Sequence, residues 1–534
     1  MAKYTEEQLN NCSKEMLVSL LLSMQDQMEQ LNQNFEKLVE QLAASNNRRY
    51  GRSSEKISVI EGQLTLEMFF NEAEALTDTT YVVEPTEDQI LPPRKKKTPG
   101  KREADLKDLP REEIEHTLTA DELTGIFGVN GWKRLPDEVY KRLRVEPAVY
   151  TVEEHHVAVY AGKDNQTIVK ADRPESLLRN SIVTPSLGAS IMNAKYTNGL
   201  PLYRISQEFQ RNDIRISRQV MANWMIQLAD RYLGIVYDRL HEQLLGYHVL
   251  QADETPVKVS KDGRPANSTS YMWIYRTGKY YKETPIILYD YQKTRSAEHP
   301  KNFLKGFEGL LVTDAYAAYE KLDREHEELA FSACWAHARR RFAEALKALP
   351  KAKQENAAET IAYQALAKIA AIYHLDNQLG DLSPEKRRLK RQLMVQPLVE
   401  AYFAWLKSIR IESVSSAKAK DGIRYSLNHE KALCMFLKDG EVPLDNNATE
   451  GALRSFCLHK HAWKLIDTID GAKSSAIIYS ITETAKANHL NPYRYLEFLL
   501  DELKEHQDDT DRAFIDDLLP WSKKLPDICR VKSK

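Results

Sequence analysis

Residues 247–346 constrain this chain more than any other stretch, because the hydrophobic period changes there in a definite order. "YHVLQADETPVKV" (247–259), "SYMWIYR" (270–276) and "TPIILYDY" (284–291) are rich in β-branched and aromatic residues and read as three strands. A short helix is expected around "SAEHPKNFLKGF" (296–307). "GLLVTDAYAAYEKL" (309–322) reads as a fourth strand with a helix after it, and "LAFSACWAHARRRFAEAL" (329–346) repeats that step. Asp253 lies near the centre of the first segment and Asp314 ends the fourth strand.

Three strands, a helix, a strand and a helix is the order of a ribonuclease H-like sheet, whose first and fourth strands are central neighbours. Acids on adjacent strands converge on the same cations. Magnesium takes oxygen ligands and keeps several waters, so a few carboxylates and substrate phosphates complete its site. Each aspartate alone has a plainer reading: Asp253 as a strand-end turn residue, Asp314 as the N-cap of the next helix. Their joint placement favours a metal pair. Glu254 is expected to point away from Asp253, because successive side chains alternate across a strand.

The interval from Asp314 to Glu450 is more than twice that from Asp253 to Asp314. Residues 342–444 are charged and helical in pattern, so a helical insertion is expected over about 346–440, with "PEKRRLKRQL" (384–393) as a solvated basic face. Beyond it, "DNNATEGALR" (445–454) opens a helix. With Asn447 as N-cap, Glu450 takes the third helical position of a capping box. Arg454, four residues on, would pair with it for a few tenths of a kcal/mol. Ala448, Ala452, Leu453 and Phe456 form the expected buried stripe. Capping and metal binding both fit Glu450, and these residues by themselves favour capping.

Upstream, Leu17, Leu21, Met24, Met28, Leu31, Phe35, Leu38 and Leu42 step by four and three, a heptad seam of roughly 39 Å. A self-associating coiled-coil helix is expected over residues 1–57, with a basic end at 46–56, and a charged linker over 58–110 containing "LPPRKKKTPGKR". Either basic segment would serve as a phosphate contact or as a plain tether. Residues 111–180 suggest a small β-rich domain, with His155 and His156 on opposite faces of a strand. Residues 181–245 are helical and divide at "RNDIRIS", where Ser217 is placed to cap the second helix. That suits a helix-turn-helix with Arg218, Gln219 and Asn223 as readers of bases or phosphates, or else an ordinary helical hairpin. A catalytic domain is expected over 246–460 and a helical region over 461–534.

Lys+Arg 75 against Asp+Glu 77 leaves a net charge of −2, so any nucleic-acid contact must come from local basic patches. The five cysteines form no Cys-x-x-Cys pair, which speaks for a reduced cytoplasmic protein and against a disulfide frame or structural zinc. No run is long and apolar enough to span a bilayer, so no membrane partner is expected.

"QADETPVKV", "TDAYAAYEKL", "CWAHARRRF", "PLDNNATEGALR" and "IYSITETAKANHLNPYRYL" (478–496), in this order, resemble the insertion sequence 66 family of transposases. "LPLYRISQEFQR" and the heptad helix ending in "RRYGRSSEK" extend the resemblance over most of the chain. It implies an Asp-Asp-Glu site of Asp253, Asp314 and Glu450, and cutting and joining of DNA at the ends of a mobile element. Two ions of Mg²⁺ or Mn²⁺, about 3.5–4 Å apart, would serve attack and departure of the phosphodiester oxygens. His337, Arg339, Arg340, Arg341 and Arg454 are candidates to grip DNA. Trp335 and Trp463 are candidates to stack on a base, although core packing suits both better. The resemblance further implies element-end and target DNA as partners, with companion proteins of the same element. Self-association through the heptad helix is expected from the seam itself.

Two features depart from the family: no cysteine lies between Cys12 and Cys334, where a zinc segment is usual, and Gly451 replaces a common arginine. The alternatives are a DNA-binding protein impaired in cutting and a metal nuclease without strand transfer.

Overall fold

The computed structural model describes residues 119–127, 149–161, 168–172, 175–265, 268–315, 319, 329–349 and 357–531. The heptad seam and the basic segments at 46–56 and 91–102 lie outside the described residues. The described residues from 175 onward belong to one compact unit and the described residues before 175 to another.

In the second unit the described elements are helix α1 (Ala120–Phe127) and the antiparallel pair β1 (Val159–Ala161) and β2 (Ile168–Lys170). The sequence suggested strands through His155 and His156. Both are exposed and lie outside any strand, beside Glu153 and Glu154.

The first unit opens with helices α2 (Pro185–Met192), α3 (Leu202–Arg211), α4 (Arg218–Leu228) and α5 (Gly234–Leu245). Ser217 caps α4 as its position suggested, its side chain accepting from the Val220 N–H at 3.3 Å. Ser206 Oγ ties the turn to α3 by donating to the Ile216 carbonyl at 2.8 Å. Met221, Trp224, Met225 and Leu228 bury one stripe of α4.

The sheet follows: β3 (Val249–Val257), β4 (Val259–Lys261), β5 (Ser270–Thr277), β6 (Ile287–Gln292), helix α6 (Glu298–Phe303), β7 (Gly309–Thr313), β8 (Leu329–Ala333) and helix α7 (Trp335–Lys347). Its five-stranded order is β6-β5-β3-β7-β8. β3, β5 and β6 are antiparallel, whereas β3, β7 and β8 are parallel. The first and fourth long strands are therefore neighbours, as the order of periods required.

The inserted segment holds helices α8 (Ile361–Asn377), α9 (Pro384–Lys390), α10 (Gln396–Ser408), α11 (Ala417–Asn428), α12 (Glu430–Leu433) and α13 (Met435–Lys438). The basic stretch 384–393 is not simply a solvated face. Arg387 is buried and donates to the carbonyls of Leu379, Gly380, Leu382 and Gly440, its guanidinium 3.6 Å from the Tyr280 ring centre. Arg391 is buried against Asp376 at 2.6 Å and donates to the carbonyls of Phe436 and Val442. A helical period marks which positions face inward, but not that arginines will fill them to satisfy loop carbonyls. Gly440 permits the closest approach, because a Cβ there would lie 1.8 Å from the Pro384 carbonyl oxygen.

The chain closes with α14 (Asn447–Trp463), β9 (Ile466–Thr468), α15 (Ile469–Ala487), α16 (Pro492–Glu505) and α17 (Ile515–Leu518). β9 pairs with β4 in parallel. Helix α15 covers the outer strand: Ser480 Oγ accepts from the Tyr289 N–H at 2.7 Å and Thr484 Oγ1 accepts from the Ile287 N–H at 3.0 Å. Side-chain hydroxyls thus take the place of a further strand on an edge that would otherwise recruit one. Among the described residues no helix is long and apolar enough to cross a membrane.

Candidate metal centre

Register brings Asp253 and Asp314 together. The last parallel pair of β3 with β7 is Gln251 with Val312, and each aspartate lies two residues further along its own strand. β7 ends at Thr313 while β3 continues, so both carboxylates emerge where the parallel pairing stops. Ala315 has a left-handed backbone, φ 63°, which turns the chain directly after Asp314. A non-glycine residue there costs about 1–2 kcal/mol, and such strain gathers at functional sites.

Among the described residues one group of side chains is spaced to hold a metal ion: Asp253, Glu254 and Asp314 offer oxygens within 4.8 Å of one another. Glu254 therefore turns toward the aspartates rather than away. Alternation fixes the direction of Cβ, but the longer side chain bends back to partners that the strand pattern does not reveal. Arg295 Nε donates to Glu254 Oε1 at 2.6 Å, and the Tyr319 hydroxyl donates to Oε2 at 3.1 Å. Arg295 also approaches Asp314, at 3.9 Å.

This crowding has an electrostatic signature. Burial, then the charges of Glu254, Asp314 and Glu450, push the Asp253 carboxyl well above the usual carboxylate range, against the Glu254 N–H that it accepts. Burial and Asp314 also raise Glu254, opposed by Arg295 and Tyr319. A divalent cation would relieve this repulsion.

Glu450 arrives on α14, and the capping box does not form. The N-cap is Asn446, not Asn447, so Glu450 is the fourth helical residue, too far along to reach back to the cap. Thr449, rather than Ala448, joins Ala452, Leu453 and Phe456 in the buried stripe. The Glu450 carboxylate meets Arg340 Nη2 at 2.9 Å, so the partner comes from α7 and not from Arg454. Its Oε1 is buried without a hydrogen-bond partner among the described residues, 3.9 Å from His337 Nδ1. Burial, with Arg340 and Arg341, lowers His337 to about 3, so that imidazole is neutral near pH 7. Glu450 lies outside the 4.8 Å group, yet its charge reaches Asp253.

The remaining candidates fall on different surfaces. Arg218, Gln219 and Asn223 all lie on the exposed side of α4. Arg340 remains partly open beside Glu450, whereas Arg339 is 4% exposed and is directed into the protein. Arg341 lies with its guanidinium 3.9 Å from the Tyr425 ring centre and donates to the His337 carbonyl. Arg454 is half-buried. Trp335 is core, its Nε1 donating to the Leu433 carbonyl at 2.8 Å, and Trp463 packs 5.7 Å from the Phe456 ring. Among the acids, sequence reasoning missed Glu254. The adjacent acid pair was visible, but Arg295 and Tyr319, which turn it inward, are distant in the chain.

An all-oxygen donor set suits a hard cation such as Mg²⁺ or Mn²⁺. The lone buried oxygen of Glu450 and the mutual repulsion at Asp253 both fit such an ion.

The chain is similar to the uncharacterized proteins y4qI and y4jD of Sinorhizobium fredii. Identity to y4qI is 27% over 394 residues, covering 72% of this chain and 71% of that one. Identity to y4jD is 26% over 405 residues, covering 74% and 77%. A family model described as transposase C of IS166 homeodomain matches residues 37–114, and one described as IS66 C-terminal element matches 480–521. The model of the transposase IS66 family matches residues 180–474, which include the whole sheet and all four acids, and the chain belongs to that family.

Proposed function

We propose that this transposase cuts and joins DNA at the ends of an insertion sequence through a divalent-metal site of Asp253, Asp314 and Glu450 in a ribonuclease H-like domain. The observation that carries this reading is the parallel register, which sets the two aspartates side by side at the end of β7. The buried, unbonded oxygen of Glu450 supports the third ligand.

When bound, the ions would lower the pKa of the attacking water or 3′-hydroxyl and neutralise charge on the phosphodiester. The chain's own residues set the stage. Asp253 and Asp314 supply the central oxygens, Glu254 fixes Arg295 beside Asp314, and Arg340 holds Glu450 at the rim. Arg340, partly open, is positioned to meet a DNA phosphate. His337 is neutral and able to accept or donate a hydrogen bond. The exposed face of α4 with Arg218, Gln219 and Asn223 is the surface for duplex contact, and the heptad helix would pair two copies.

The test is incubation of the full chain with labelled element ends and Mg²⁺ or Mn²⁺, beside Asp314→Ala. The expected result is cleavage and joining by the wild type, reduced about a thousandfold or more in the variant, equivalent to about 4 kcal/mol of barrier. Cleavage without joining would point to a nuclease. Binding of ends with no cleavage in either metal would overturn the enzymatic reading.

A further inference from the structure

The residue that opens α14 does not cap it with its side chain. Asn446 is fully buried, and every polar atom it has is engaged. Its Nδ2 donates to the Ala252 carbonyl at 2.8 Å, immediately before Asp253. Its Oδ1 accepts from Gln251 Nε2 at 3.0 Å and from Thr449 Oγ1 at 2.7 Å. Its backbone N–H points to Cys334 Sγ at 3.1 Å. The Cys334 N–H in turn donates to the carbonyl of Thr313, the residue before Asp314, at 2.9 Å. The Asn446 carbonyl accepts the Glu450 N–H at 3.2 Å. Gln251 is held as well: its Nε2 also donates to the Asp445 carbonyl at 3.2 Å, and its Oε1 accepts from the Lys279 N–H at 3.0 Å.

We propose that Asn446 is the positioning residue of the metal site, a single buried amide that fixes the spacing of the three acid-bearing segments. This rests on the reading of those acids as metal ligands. The three carboxylates come from separate elements, and β3 and β7 stop pairing just before them. Something must therefore set the distance from α14 to the strand ends, and Asn446 touches each path. Only a carboxamide suits the place. The Ala252 carbonyl needs a donor, while Gln251 and Thr449 need an acceptor. Aspartate lacks the donor, leucine lacks both, and serine is too short to span them. Groups behind metal ligands characteristically tune affinity by about 10–100-fold.

The experiment uses the full chain and two readouts: Mn²⁺ binding followed by electron paramagnetic resonance, and thermal unfolding. Asn446→Ala and Asn446→Asp are compared with Tyr402→Phe, which removes a buried hydrogen bond to Ser426 in the insertion. Weaker Mn²⁺ binding by about tenfold or more in both Asn446 variants is expected, with unchanged binding in Tyr402→Phe even where its Tm falls. Thr449→Val removes one of the hydrogen bonds to Asn446 and is expected to weaken binding about three- to fivefold, less than the loss for removing such a group outright. It keeps the question open to test if the larger changes do not fold. Mn²⁺ affinity unchanged within about twofold in every folded variant at Asn446 or Thr449 would overturn the proposal. Asp314→Ala separates the two ideas: if it binds Mn²⁺ like wild type, the metal-site reading itself fails.

Discussion

The inserted helices and the end of the sheet both bury charged side chains, with opposite outcomes. In the insertion Arg391 and Asp376 are almost wholly buried, and the guanidinium's other N–H groups end on the Tyr280 hydroxyl and on the carbonyls of Phe436, Asp439 and Val442, in α13 and the loop after it. Charge there is matched by charge and donor by acceptor, which holds a loop in place. At the sheet end, acids face acids: Glu254, Asp314 and Glu450 each raise the Asp253 carboxyl. A buried pair that is satisfied is architecture, while buried repulsion persists only where function requires it.

The contrast is most exposed to test in the insertion. Arg391→Met leaves Asp376 buried with its charge and strips the carbonyls of Phe436, Asp439 and Val442 of this donor, so a loss of about 3–5 kcal/mol is expected in denaturant unfolding. A loss below about 1 kcal/mol would mean that the pair does not carry the loop.

The opposite sign is expected at the acid group. Asp253 holds its proton more tightly folded than unfolded, so its contribution to stability falls as pH rises from its ordinary 3.8 through the raised folded value. Asp253→Asn should therefore raise Tm in metal-free buffer near pH 7, by roughly 2–4 °C for each kcal/mol of repulsion removed. Adding Mg²⁺ should close the gap by stabilising only the wild type. A variant that melts lower than wild type in the presence of chelator would contradict the account of repulsion.

Buried histidines add a slope of the other sign. Burial, with Lys486 and Lys195, lowers His459 from 6.5 to about 4, and His337 falls to about 3. The folded chain binds fewer protons at these groups, so their share of stability is lost as pH falls from about 6.5 toward 4. His459→Gln should flatten the decline in Tm over that window without altering the opposing slope due to Asp253. An unchanged pH profile would mean that His459 carries none of this decline.

The smallest effect is expected at Gly451. It is exposed on α14, and an added Cβ meets nothing within 4 Å. Gly451→Ala should stabilise the helix by about 1 kcal/mol. Chemical denaturation measures this, and a destabilised variant would mean that the open position serves another purpose.

Much of the fold is legible in the amino-acid order. The switch from strand to helix periods foretells the five-stranded arrangement, Ser217 marks the start of α4, and the pattern of residues 342–444 foretells helices there. The two aspartates are legible because a parallel register of their strands makes them neighbours. Partners are not legible. Arg391 and Arg387 read as surface charge, Glu254 as pointing away, Asn447 as a cap, and Arg454 as the mate of Glu450.

Local chemistry alone determined which segments become strands and helices, because period and turn preference are properties of neighbouring residues in the chain. It also determined that one acid stands within a strand and another directly after a strand's end. Tertiary structure alone decided which charges meet: Arg340 with Glu450, Arg295 with Glu254, and Asn446 with the backbone beside Asp253. The reason is reach. A side chain selects its partner within a few ångströms in space, and here those partners lie 41 to 194 residues apart along the chain.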